Sequence, residues 1–185
     1  MLNEFIKLGL TQDQAKVLAE AFVGHKKLAS GKYFIKEGKV CSEMGVVIKG
    51  KCRYFYNTPD GEVTRWISLP NDFVTSLSSF VSQQPAKENI QAMEATEIVI
   101  MSHADWLRLY AKHDFIRQLY TRIIEANYIG MEERVFNLIA KSAEERYQWM
   151  QEHQPRFIRE VPDKYLASML GVHPRHLSRI RAQRK

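Results

Sequence analysis

Cysteine is scarce in this chain of 185 residues: Cys41 and Cys52 are the only two. They match neither a zinc-ligand spacing nor a disulfide framework, so a stapled scaffold is excluded and two reduced cytosolic thiols are expected. Histidine is missing where it would matter. His25, His103, His113, His153, His173 and His176 all lie outside the stretch between Lys26 and Ser102, where the strands fall. A metal-dependent enzyme on a β-barrel needs His and carboxylates projecting from strands, and this chain offers it no such set. A glycine-rich phosphate loop and a Ser or Cys nucleophile motif are likewise missing, so an enzyme is not expected. No apolar run is long enough to span a membrane. The opening MLNEFIKLGL carries Glu4 and Lys7 inside any would-be apolar stretch and does not read as a signal peptide. The expectation is a soluble cytoplasmic protein with no membrane partner.

What is present is charge, unevenly placed. Lys plus Arg number 27 against 21 Asp plus Glu, a net +6. From Gln154 onward stand eight basic residues, Arg156, Arg159, Lys164, Arg175, Arg179, Arg181, Arg184 and Lys185, against Glu160 and Asp163. This last segment therefore carries the whole net charge, and Met1–His153 nets to zero. Such asymmetry points to a polyanion partner, with a solubilising tail as the plainer alternative.

The texture changes along the chain. Leu10–Val23 has helical periodicity with Thr11 as a candidate N-cap. From about Lys27 to Met101 short apolar runs recur, KYFI, MGVVIKG, CRYFY, RWISL and IVIM, separated by turn signals such as TPDGE and LPND. That punctuation predicts a small antiparallel roll, sandwich or barrel, with a hairpin at Asp60-Gly61. Helix returns at SHADWLRLY, with Ser102 as cap, and continues from Asp114 to about Lys141 without a proline. A rod of about 40 Å is longer than a compact domain of this size needs. Its apolar stripe is wider than one seam, so a dimerising helix is expected ahead of a merely buried one. The capping box SAEE at Ser142–Glu145 starts a new helix to about His153, where Pro155 is expected to stop it. The break at Lys141–Ser142 is a candidate hinge.

The closing stretch PDKYLASMLGVHPRHLSRIRAQRK reads as two helices. Pro162 opens the first, Tyr165, Leu166, Met169 and Leu170 form its buried face, and Gly171 permits the left-handed turn that stops it. His173 caps the second, which begins at Pro174 and buries Leu177 and Ile180. Its remaining positions, Arg175, His176, Ser178, Arg179, Arg181 and Gln183, are polar and mostly cationic. This predicts a helix-turn-helix with the recognition helix last, an ordinary helical hairpin being the alternative. Arg175 and Arg179, four apart, can share a face, and arginine pairs with guanine O6 and N7 in the major groove. His176 is placed for a base or a phosphate. Arg184, Lys185, Lys164 and Ser168 are expected at phosphates. A metal reading of His173 and His176 lacks Cys or carboxylate neighbours and is rejected.

Together KEGKVCSEMGVVIKGKCRYF, PDGEVTRWISLPNDF, ATEIVIMSHADWLRLY, the long helix and PDKYLASMLGVHPRHLSRI resemble the Crp/Fnr family of bacterial regulators. The resemblance covers nearly the whole chain and rests on Gly38, Gly45 and Gly50 and on the order of these segments with the terminal helix pair. It implies an α+β fold: a sensor β-roll like a cyclic-nucleotide-binding domain over 1–111, a dimerisation helix over 112–141 and a helix-turn-helix domain over 142–185. It also implies a guanine-reading role for Arg179. The implied partners are double-stranded DNA, a second copy of the chain and RNA polymerase, with a small-molecule effector left open.

Two departures qualify the resemblance. Nucleotide-binding members carry Gly-Glu after the Asp-Phe pair and then an Arg-Ser that grips the phosphate. Here Asp72-Phe73 is followed by Val74-Thr75, and Lys87-Glu88 stands where Arg-Ser would be. The bidentate donor is lost and Glu88 adds a negative charge. Binding of cAMP is therefore not expected, no cofactor is implied, and Phe73, Val74, Thr75, Lys87 and Glu88 line a degenerate pocket. The family's two-stranded wing after the recognition helix is also expected to be missing, as the sequence stops at Lys185. The main expectation is a homodimeric, sequence-specific regulator of transcription. The alternative is a β-roll sensor of small molecules or proteins without specific DNA binding.

Overall fold

The computed structural model describes residues 1–183. Chain order is α1 (Leu2–Lys7), α2 (Gln12–Glu20), β1 (Gly24–Leu28), β2 (Tyr33–Ile35), β3 (Glu43–Lys49), β4 (Cys52–Thr58), β5 (Gly61–Ser68), β6 (Phe73–Val74), α3 (Leu77–Ser82), β7 (Asn89–Ala92), β8 (Thr96–Ser102), α4 (His103–Lys112), α5 (Asp114–Ala140), α6 (Ala143–His153), α7 (Pro155–Glu160), α8 (Asp163–Met169) and α9 (Pro174–Ala182). Two compact units result. The first comprises Met1–Glu62 and Trp66–Thr121; the second comprises Val63–Arg65 and the chain from Arg122.

The first unit is the expected antiparallel β-structure, in two four-stranded sheets ordered β1-β8-β3-β6 and β2-β7-β4-β5. Alternation along the strands sends Phe34, Val47, Cys52, Tyr54, Val74, Ile90 and Ile98 into one core, joined by Cys41 and by Phe80 of α3. Burial pushes the Cys52 thiol up to about 12, the condition of an inert core residue. Gly50 turns β3 into β4 at φ +83, where a Cβ would sit 2.5 Å from Thr96 Oγ1, so both conformation and space require glycine. A second cluster forms around α1 and α2. Phe73 stacks on Phe5 at 6.1 Å between ring centroids and lies 6.5 Å from Phe22.

Several elements carry no sequence signal of their own. β1, Gly-His-Lys-Lys-Leu, is an edge strand paired only with β8, and its charges suit an edge that must not recruit another strand. β6 has two residues and β7 four. Pro155 ends α6 as expected but also opens α7 as its first residue, where the missing N–H costs nothing.

The long helix is as read: α5 spans 27 residues. After it, Ser142 closes a complete capping box with Glu145. Hydrogen bonding to Ser142 holds the Glu145 carboxyl below the ordinary carboxylate range. Among the described residues no helix is long and apolar enough to cross a membrane. Among them, too, no group of three or more His, Cys, Asp and Glu side chains is placed to hold a metal ion.

Candidate nucleic-acid interface and ligand pocket

The second unit sets two short helices on an apolar floor. From α8 and its end, Leu166, Ala167, Met169 and Leu170 are buried; from α9, Leu177 and Ile180; from α6 and α7, Tyr147, Met150 and Phe157. Each fully buried Leu or Ile contributes about 2 kcal/mol of transfer free energy, enough to hold helices this short that would not form alone. Gly171, at φ +67, makes the turn, and the Val172 N–H returns to the Ala167 carbonyl at 3.0 Å. The His173 ring caps α9 by accepting from the Arg175 N–H at 3.2 Å. One guanidinium closes two helix ends: Arg146 donates to the Leu170 carbonyl at 2.8 Å and to the Lys141 carbonyl at 2.7 Å. Carbonyls of a last helical turn lack partners within their own helix. A further bond fixes α6 on the preceding helix, from Trp149 Nε1–H to Glu133 Oε1 at 2.8 Å.

With Leu177 and Ile180 facing the floor, α9 turns Arg175, His176, Ser178 and Arg179 outward, all exposed. Neither Arg175 nor Arg179 has an ion-pair partner among the described residues. The only exposed face of α9 that carries two unneutralised guanidinium groups is thus the face read as DNA-contacting. His176 sits 3.4 Å by its Nε2 from Glu144 Oε1. The Glu144 carboxyl is held below the usual carboxylate range, first by its own backbone N–H and then by the His176 ring.

The other expected contacts lie differently. Arg181 does not join the outward set. It donates from Nη1 to Asp163 Oδ1 at 2.6 Å and from Nε to the Tyr147 hydroxyl at 3.2 Å. The periodicity of α9 explains this: position 181 adjoins the buried edge set by Leu177 and Ile180, and a guanidinium there meets carboxylate and phenol before solvent. Lys164 is exposed, its ammonium 4.5 Å from the centre of the Tyr165 ring. Ser168 is half-buried, and its hydroxyl accepts from the Thr64 N–H at 2.8 Å. Arg184 and Lys185 lie outside the described residues.

In the first unit four of the five pocket residues are drawn into internal contacts. Phe73 belongs to the aromatic cluster with Phe5 and Phe22, and Val74 is fully buried. Thr75 donates from its hydroxyl to the Glu43 carbonyl at 3.1 Å, and Cys41 Sγ lies 3.5 Å from that hydroxyl. Lys87 is exposed, whereas its neighbour Glu88 is buried. Glu88 Oε1 accepts from the hydroxyl of Ser76, itself buried, at 2.9 Å. That bond joins the segment after β6 to the segment before β7. The two stretches singled out as a pocket are brought together, with a carboxylate between them.

Residues 25–113 match the cyclic nucleotide-binding domain family. The match covers 89 of the 185 residues. No curated protein sequence matches the chain, but solved structures do over most of its length. FixK2 from Bradyrhizobium japonicum is 16% identical, with 86% of this chain and 83% of that one covered at a TM-score of 0.74. The catabolite activator protein of Thermus thermophilus is 18% identical, with coverages of 95% and 84% and a TM-score of 0.61. A protein from Eubacterium rectale assigned to the Crp/Fnr family of transcriptional regulators is 14% identical, with coverages of 93% and 82% and a TM-score of 0.65. At such identities the likeness is one of fold, and the chain shares that fold: an antiparallel β-unit, a long helix and a closing set of small helices.

Sequence reasoning missed Asp163, Tyr147, Glu144 and Ser76, the partners that decide what Arg181, His176 and Glu88 do. Arg181 is 18 residues from Asp163 and 34 from Tyr147, and no spacing rule links such positions. A faint signal existed only for Asp163, an acid in the first turn of a helix, where carboxylates are favoured anyway.

Proposed function

We propose that this protein is a Crp/Fnr-type transcriptional regulator that binds double-stranded DNA sequence-specifically as a homodimer. The two copies of α9 enter successive major grooves, where Arg175 and Arg179 of each read guanine. In this reading residues 1–111 are a sensor, 112–141 dimerise the chain, and 142–185 bind DNA. RNA polymerase and a small-molecule effector complete the partners of a cytoplasmic regulator. The observation that carries the reading is the outward pair of unpaired guanidinium groups on a helix whose opposite edge is fully buried. A decayed helix-turn-helix has no reason to keep them free.

Selection of bound duplexes from a randomised pool, at two salt concentrations, tests it. The expected product is an inverted repeat with half-sites about 34 Å apart, one helical turn. Binding that lacks sequence preference and fades steeply with salt would leave only the phosphate contribution and overturn the proposal.

The sensor is proposed not to take cyclic nucleotides, on the strength of Glu88. A phosphate placed against a buried carboxylate meets like charge in a medium that screens it poorly. Thermal denaturation with cAMP or cGMP in millimolar excess checks this. No shift in Tm is expected, whereas a ligand at about 100 times its Kd adds about 2.7 kcal/mol, a rise of several degrees that would refute it.

A further inference from the structure

The basic side chains of α9 divide by task. We propose that Arg181, for all its charge, is a positioning residue that sets the recognition helix for DNA and makes no contact with DNA itself; the proposal rests on the DNA-reading function of α9. Three elements meet at its guanidinium. Nη1 is bonded to Asp163 in the first turn of α8, Nε to the Tyr147 hydroxyl of α6, and the guanidinium carbon lies 5.8 Å from the centre of the Tyr147 ring. Its side chain is 30% exposed, while Tyr147 is buried.

The geometry gives the bonds their consequence. Leu177 and Ile180 anchor α9 along one line, and a helix held along a line can still roll about it. Arg181 adds a fixed point on the last turn, off that line and tied to two other helices. The planar fork of arginine suits this because its donors hold direction. A pair this exposed adds little to folding stability. Its effect is on orientation, and base reading by Arg179, two residues away, tolerates small displacements poorly.

The opposing assignment is that Arg181 reaches a phosphate, and the two assignments predict opposite signs. Under positioning, Asp163→Asn removes the partner's charge and weakens binding to the selected duplex by about tenfold, the size a coupled network of this kind carries. Under phosphate contact, the same change frees Arg181 and removes a nearby negative charge, so binding strengthens. Arg181→Lys separates them again. A positioning arginine loses its fork and binding falls comparably, with the slope of log affinity against log salt unchanged. A phosphate contact keeps its charge and most of its affinity. Arg181→Gln then lowers the slope by about one under phosphate contact and leaves it unchanged under positioning.

General damage to folding lowers the active fraction but not the ratio of specific to non-specific affinity. Positioning lowers that ratio, and Asp163→Glu restores part of it. Amide hydrogen exchange across α9, which needs no DNA, gives an independent reading. Faster exchange in Asp163→Asn and Arg181→Lys is expected, and unchanged exchange in both overturns the assignment. Failure of the DNA-reading function itself shows separately, as a lack of sequence preference in the unaltered protein; hydrogen exchange then decides the role of Arg181 alone.

Discussion

Replacing Arg175 and Arg179 together with alanine is expected to abolish sequence preference in DNA binding while leaving the fold and melting temperature unchanged. Both side chains are exposed and lack ion-pair partners among the described residues, so their removal takes nothing from the protein's interior. A bidentate arginine–guanine pair discriminates by about 1–3 kcal/mol. In a two-fold symmetric complex each substitution counts twice, so Arg179→Ala alone is expected to cost about a hundredfold or more in affinity for the selected duplex. Non-specific binding falls far less, because most of its cations remain. Titration of a fluorescent duplex against variant and unaltered protein, with a scrambled duplex in parallel, reads both terms. Retention of the preference by the double variant would sink the assignment of α9 as the reader. The contrast with Arg181 is informative, since both kinds of change weaken binding but only the alanines erase the identity of the preferred bases.

How much of this site the sequence holds differs from residue to residue. The apolar positions Leu166, Met169, Leu177 and Ile180, the turn at Gly171 and the cap at His173 are all legible, because each obeys a local rule of three to five residues. The same periodicity marks Arg175 and Arg179 as outward. Arg181 marks the limit. A helix turns about 100° per residue, so position 181 stands at the margin of the buried edge. Which way a long side chain leans there depends on Asp163 and Tyr147, brought near only by the tertiary fold. Glu88 gives the same lesson: its charge was visible, but burial against Ser76 depends on how two loops meet.

The fold is legible where elements are long or sharply punctuated. α5, the Ser142 capping box and the hairpin at Asp60-Gly61 all declare themselves. β1 does not, because an edge strand that carries His25, Lys26 and Lys27 lacks the apolar alternation that marks a strand with one face in the core. β6 and β7 are too short for any period to register. Their partners, β3 for β6 and both β2 and β4 for β7, make them strands, and that is tertiary information.

Introducing aspartate at Met131 and Val135 is expected to convert the proposed dimer to a monomer without unfolding it. Tyr128, Met131, Val135 and Leu138 recur at intervals of three and four on α5 and are exposed by 60%, 62%, 53% and 41%, and Ile139 beside them is exposed by 81%. That spacing is the seam of a two-stranded coiled coil. An apolar row this long is rarely left in water unless another surface covers it. The opposite side of the helix is already committed through Glu133 to Trp149, and one flank of the row through Arg134 to the Met169 carbonyl. A charge buried in the seam without a partner costs about 3–5 kcal/mol, so self-association should weaken roughly a thousandfold. In the separate chain those positions face solvent, and the far-ultraviolet circular dichroism of the variant should match that of the unaltered protein. Sedimentation velocity over a range of concentrations measures the first effect. If the variant still sediments as a dimer, α5 is not the seam and the exposed row must serve another partner. If it sediments as a monomer, its affinity for the inverted repeat should collapse to that for a single half-site, because two recognition helices no longer share one complex.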